Sequence, residues 1–213
     1  MQFSEFSIRI VKVKKMKLPG EEFHLKMAPI ERLLELKKQA RDAKTAKRAG
    51  VLCLFYPSSE GETRFMLILR KTYKGVHSAQ IGFPGGKVEP EDTSIEVTAL
   101  RETEEEVGVR TQDISVLKKL TEIYIPPSNF FVQPFIGIAQ TTPQFKAQKS
   151  EVEALVEVPL AEFLNDDVCV QKPLKTSYAE EIKVPAFELQ GHIVWGATAM
   201  MLNEVRALLI RTL

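Results

Sequence analysis

Residues that would place the chain in a specialised class are scarce. Only two cysteines, Cys53 and Cys169, stand in 213 residues, and each falls within an apolar run. That excludes a disulfide scaffold or a thiolate zinc cluster and predicts two buried, reduced thiols. The three histidines, His24, His77 and His192, are too scattered for a zinc site. No apolar run reaches the ~18 residues that a membrane-spanning helix needs. The N-terminus has no apolar signal core. The last residues, Ile210-Arg211-Thr212-Leu213, are not a peroxisomal address. A cytoplasmic location is therefore expected. Neither charge sign dominates: 29 basic residues face 28 acidic ones, a net charge of +1. Such a balance provides no global pull toward nucleic acid. Internal repeats, low-complexity tracts and long linkers are also missing. The length suits one domain, expected over 29–213 with a helix at each end, preceded by an extension of strand and loop over 1–28.

What is present is ordinary globular material, with 44% apolar and 27% charged residues, enough for a packed core. Ile8-Arg9-Ile10-Val11-Lys12-Val13-Lys14 alternates and predicts a strand with a solvated, lysine-rich face. Pro19-Gly20 breaks the chain. Ile30, Leu33, Leu34 and Leu36 line one side of a helix predicted from Ile30 to about Arg48. Val51 to Tyr56 is a continuous apolar run, as in a strand buried on both faces. Arg64 to Arg70 reads as its partner. Ile114 to Ile125 predicts one long strand, and Phe130 to Ala139 another, with Pro134 suggesting an edge or bulge. Val152 to Val158 adds a strand, and Leu160 to Leu164 a short helix. Val168–Val170 and Ile182–Leu189 suggest a final strand pair. Ile193 to Leu209 is a last helix with Val194, Ala197, Met201, Leu202, Val205 and Leu208 facing the core.

The chemistry gathers in one stretch. Gly85-Gly86-Lys87-Val88 forms a glycine-rich turn, and a helix follows, capped by Asp92 or Thr93 and stopped at Gly108. Glu102, Glu105 and Glu106 are spaced i, i+3, i+4 and share one face, while Leu100, Thr103 and Val107 lie roughly opposite. Three like charges on one face repel. A divalent cation would offset that repulsion, and all-oxygen donors suit Mg²⁺ or Mn²⁺.

Arg101, Glu102, Glu105, Glu106, Gly108 and Val109 resemble the second half of the signature box of Nudix hydrolases. In that box a glycine and an acid precede Arg-Glu-aliphatic-any-Glu-Glu-any-Gly-aliphatic. Thr103 replaces the first aliphatic residue. Gly86 comes one position early, and Asp92 stands for the first acid. This insertion, with Thr98-Ala99-Leu100-Arg101-Glu102, resembles the coenzyme A diphosphatase branch. Leu67, Arg70 and Phe83-Pro84-Gly85-Gly86 match that branch's additional motif, and His77 and Gln80 are similar to residues seen in it. Ile68, Lys71, Gly75 and Ala79 depart from it. Further likeness extends from Ala46–Val51 through Val132–Gly137 and Ser150–Leu160 to Val194–Ala199.

The resemblance implies an α/β/α sandwich with a mixed sheet between helices. It implies metal ligation by Glu102, Glu105, Glu106 and the Gly86 carbonyl, with Glu102 either a ligand or the base. Arg101 would orient the glutamates and pair with the box's first acid. Arg70, His77, Gln80 and Phe83 would contact substrate. Glu151 is a further candidate ligand or base, equally readable as a solvated loop acid. The implied partner is a small molecule carrying a diphosphate, and a homodimer is one compatible assembly. Coenzyme A or a thioester of it leads as substrate. The alternatives are ADP-ribose, a dinucleotide or a nucleoside triphosphate. A noncatalytic nucleotide sensor is the reading from another class.

Overall fold

The computed structural model describes residues 1–29, 45–71, 80–174 and 182–213. The helix expected over Ile30–Arg48 lies mostly outside them. Lys47 and Arg48, however, already belong to strand β1, Lys47–Pro57. The first eighteen residues are not a strand. They form α1, Phe3–Ile10, and a 3-10 turn, Val11–Lys15. Phe6, Ile10 and Val13 are completely buried, whereas Ile8 is exposed. That spacing of four and three residues is helical, and the local Ile8/Ile10 alternation was incidental to it. Glu21–Leu25 forms α2.

β1 organises the sheet. It pairs in parallel with β7, Phe130–Ala139, and antiparallel with β2, Thr63–Arg70. β2 also pairs with β8, Val152–Pro159. β1 and β2 part beyond Phe55, and two short strands fill the gap. β3, Ile81–Gly82, lies on β2, and β4, Gly85–Lys87, lies on β1. Along β1, Val51, Cys53 and Phe55 face one apolar cluster while Leu52 and Leu54 face the other. Alternate residues point to opposite faces, so a strand covered on both sides needs a continuous apolar run.

One face is covered by α3, Ile95–Val107, and the other by α1 and α5, Gly196–Ile210. A helical layer on each face makes this an α/β/α sandwich with a mixed sheet, the expected class. α4, Leu160–Leu164, follows β8. A separate antiparallel sheet comprises β9, Cys169–Leu174, β10, Ile182–Leu189, and β11, His192–Trp195. Since Ile193–Trp195 belongs to β11, the last helix starts at Gly196 and not at Ile193. Cys53 is buried, but Cys169 is exposed on the edge strand β9, against expectation.

The long strand expected over Ile114–Ile125 is two strands, β5, Ile114–Lys119, and β6, Ile123–Ile125. Both pair with β7, which is therefore internal and not an edge. The break faces Pro134, whose carbonyl accepts from the Leu120 N–H at 2.9 Å. Proline's missing N–H thus faces the place where the partner strand is interrupted, and no ladder bond is lost. Thr121, inside the break, turns to the fully buried Glu204 of α5, donating to it through N–H at 3.1 Å and Oγ1 at 2.6 Å.

α3 is capped later than expected, at neither Asp92 nor Thr93. Ser94 is the cap, its Oγ accepting from the Val97 N–H at 3.2 Å. Asp92 is thereby free for another task. Gly108 closes the helix with φ of 79°, as the glycine stop required. Ser94→Ala is expected to cost about 1 kcal/mol of stability, measured by urea denaturation, with little change in the sheet's spectroscopic signature.

Candidate active site

The site is built where β4 meets α3. Gly85 has φ of 144°, and a Cβ there would lie 2.3 Å from the Gly50 carbonyl oxygen. A Cβ on Gly86 would lie 2.4 Å from Cδ of Glu102 and 2.5 Å from each of its oxygens. Only bare backbone permits that carboxylate to rest against the turn.

Arg101 is the hub. Its Nε donates to Oδ1 of Asp92 and its Nη2 to Oδ2, both at 3.0 Å. Nη1 donates to Glu102 Oε1 at 3.0 Å and reaches both Glu105 oxygens at 3.3 Å. Nη2 also meets the Lys87 carbonyl at 3.2 Å. Asp92 further accepts from the Glu89 N–H at 2.9 Å and Thr98 Oγ1 at 2.8 Å. So the shorter acid at the shifted position still engages the arginine, in a two-pronged pair. The Arg101 hydrogen bonds hold the Asp92 carboxyl well below the usual range, and Asp92 raises Arg101 in return.

The three glutamates lie in different surroundings. Glu105 is half exposed, Glu102 largely covered, and Glu106 only 1% exposed. Glu106 Oε2 accepts from the Gly85 N–H at 2.7 Å, and Arg70 Nη1 stands 3.6 Å from Oε1. Burial pushes the Glu106 carboxyl up to about 7, although Arg70 and the Gly85 N–H pull it down; Glu102 and Glu151 add to the rise. Burial also raises Glu102, against the pull of Arg101, with Glu105 and Glu151 contributing.

Among the described residues, no three His, Cys, Asp or Glu side chains yet converge on one point. Glu105 is engaged by Arg101, and Glu106 by Gly85 and Arg70. The donor chemistry nonetheless fits a hard divalent cation. The donors are all oxygens, Glu106 is buried with the Arg70 guanidinium 3.6 Å away as its countercharge, and the Gly86 turn lies open to the Glu102 carboxylate.

Of the residues expected to touch substrate, Arg70 is present at the site, its Nη2 donating to the Gly85 carbonyl at 2.8 Å. The Gln80 carbonyl accepts from the Arg70 N–H at 3.0 Å, so Gln80 adjoins the site through its backbone. His77 lies outside the described residues. Phe83 is a correction: its ring is 2% exposed and packed in the apolar core, so it supports the turn from beneath. The exposed Glu151 has its carbonyl fixed by the Lys71 N–H at 2.8 Å, and its charge reaches Glu102 and Glu106. Sequence reasoning missed the contacts of Thr98 with Asp92 and of Arg70 with Glu106. The hydroxyl six residues after Asp92 was a usable signal for the first. Nothing local signalled the second.

A sandwich of this topology, with a carboxylate helix entered from a glycine turn, defines a class. The family model described as the NUDIX domain matches residues 46–178, from just before β1 to beyond β9. The chain belongs to the Nudix family and is a hydrolase acting on phosphorus-containing anhydrides. It is 38% identical over 151 residues to the Uncharacterized Nudix hydrolase NudL of Yersinia enterocolitica, covering 68% of this chain and 73% of that protein. The like-named protein of Photorhabdus laumondii is 33% identical over 130 residues, covering 61% of this chain and 68% of its own length. Nudix hydrolase 15, mitochondrial, of Arabidopsis thaliana is 31% identical over 162 residues, 73% of this chain; the match spans 56% of that protein, less than two thirds.

Two crystal structures share the fold. The Nudix hydrolase RenU of M. smegmatis has a TM-score of 0.53 at 15% identity, covering 78% of this chain and 87% of that one. The MutT/nudix family protein of Enterococcus faecalis has a TM-score of 0.51 at 16% identity, covering 92% and 75%. Among the described residues, no helix is long and apolar enough to cross a membrane.

Proposed function

We propose that the chain splits the diphosphate of coenzyme A or its thioesters, releasing 4′-phosphopantetheine, or its acyl form, and adenosine 3′,5′-bisphosphate. The observation that carries this reading is the placement of Arg70. It belongs to the motif resembling the coenzyme A branch, and it reaches the Gly85 carbonyl and Glu106 at 2.8 and 3.6 Å. That puts a forked cation beside the carboxylates, where a diphosphate has to lie.

Glu102, Glu105 and Glu106, with the Gly86 carbonyl, would hold Mg²⁺ or Mn²⁺. When bound, such an ion neutralises phosphate charge and acidifies water. Arg101 aims Glu102 and Glu105 from the helix, and Asp92 fixes Arg101. A rigid helix keeps those oxygens in place better than a loop. Glu102 is either one of these ligands or the base that takes the proton from the attacking water.

A second reading, hydrolysis of ADP-ribose, a dinucleotide or a nucleoside triphosphate, draws on Gly75, which stands where the motif has a second arginine. An extra 3′-phosphate would then depend on Lys71 or Lys74 as point charges. A noncatalytic sensor has little use for three carboxylates and their orienting arginine. The test is a substrate panel with Mg²⁺ or Mn²⁺, with products resolved by chromatography. Coenzyme A or its thioesters should turn over best. ADP-ribose turning over far faster would remove the coenzyme A assignment, and no turnover of any diphosphate would leave the sensor.

A further inference from the structure

We propose that Arg70 is the internal counter-ion of Glu106, standing in for the divalent cation while none is bound and transferring its charge to the substrate's diphosphate once one binds. This rests on the reading that Glu106 is a metal ligand. Arg70 ends β2, where the ladder to β8 shifts register: Leu69 faces Ala154, but Arg70 faces Val152. Such an irregularity re-aims a side chain. Arg70 Nη2 holds the Gly85 carbonyl at 2.8 Å, Nη1 stands 3.6 Å from Glu106 Oε1, and the Gly85 N–H donates to Glu106 Oε2 at 2.7 Å. Guanidinium, peptide and carboxylate therefore close a ring across three separate elements.

The two partners differ in access. The Glu106 side chain is 1% exposed and that of Arg70 28%. A carboxylate so buried is costly without a cation beside it. Among the described residues, Arg70 is the cation within ion-pair distance. A divalent ion on the same carboxylate meets a like charge a few ångströms away, and the more exposed partner is the one able to yield. Its planar fork then faces solvent, where a phosphate can be met in two-pronged geometry. Metal and substrate binding are thereby coupled through one side chain.

Mn²⁺ alone is the first probe, with free ion read by electron paramagnetic resonance on the full chain, wild type, Arg70→Lys and Arg70→Met. Imidodiphosphate titrated calorimetrically into the Mn²⁺-saturated proteins is the second. Arg70→Met is expected to bind Mn²⁺ roughly three- to tenfold more tightly and imidodiphosphate about tenfold more weakly, with Arg70→Lys close to wild type for Mn²⁺. Arg70→Gln, which retains a donor for Gly85, serves if the methionine variant does not fold. A residue that merely braces the turn would weaken both ligands. Equal or weaker Mn²⁺ binding in the neutral variants overturns the counter-ion role alone. Absence of Mn²⁺ binding in the wild type overturns the metal reading and this one with it.

Discussion

Glu106→Gln is expected to lower diphosphate turnover roughly 10³-fold or more while the fold persists. The amide retains the shape and can still accept from the Gly85 N–H, so the turn should hold. What is lost is a negative charge placed where phosphate charge must be neutralised. Steady-state rates at saturating Mg²⁺, with circular dichroism as the check on folding, measure this; near-normal turnover would mean the site is misassigned. The metal-free proteins should also differ in pH dependence. Burial raises the Glu106 carboxyl to about 7 in the fold, while in the unfolded chain it titrates near ~4.3. The folded protein then binds the extra proton between those values. This contribution to stability is present below the lower value and is lost as pH rises through the upper one. Thermal melts without metal should show that loss in the wild type and not in Glu106→Gln.

Glu204→Ala is expected to cost about 3–5 kcal/mol, a fall in Tm on the order of 10 °C for a chain of this size. Glu204 is completely buried in α5. It accepts from the Gly20 N–H at 3.1 Å, His24 Nε2 at 3.0 Å, the Thr121 N–H at 3.1 Å and Thr121 Oγ1 at 2.6 Å. Removing it leaves several buried polar groups without an acceptor and opens a cavity. It also unties the chain before α2 and the β5–β6 break from the last helix. Burial alone would raise this carboxyl, but the hydrogen bonds from His24 and Thr121 outweigh it and hold the group below its usual value. A depressed carboxyl stabilises above its unfolded titration point and loses that contribution as pH falls through the folded one. Wild-type stability should therefore decline more steeply in acid than that of Glu204→Ala. Parallel acid profiles for the two proteins would count against the network.

The parts of the fold legible in the sequence are those whose order is local. The run Val51 to Tyr56 announced a doubly buried strand, because alternate side chains meet different apolar layers. Leu160 to Leu164 and Phe130 to Ala139 fell where their patterns placed them. The carboxylate spacing of Glu102, Glu105 and Glu106 follows from helical geometry alone. α1 misled because a few apolar residues fit both a two-residue and a helical period. Phe3 and Phe6, outside the alternating stretch, decide the matter only once a sheet is there to cover. Ser94 caps the helix in place of Asp92 or Thr93, and Asp92 instead binds Arg101, a partner nine residues away.

By itself, then, the sequence determined the helix that carries the acids, through spacing along the backbone, and the family and the sandwich class through the resemblance its motifs carry. The tertiary structure alone decided that Arg70 faces Glu106, that Phe83 lies beneath the turn, and that Glu204 holds Thr121 in the break between β5 and β6. Those contacts join side chains from separate elements. Their energies come from burial and charge, which are defined only after the layers close.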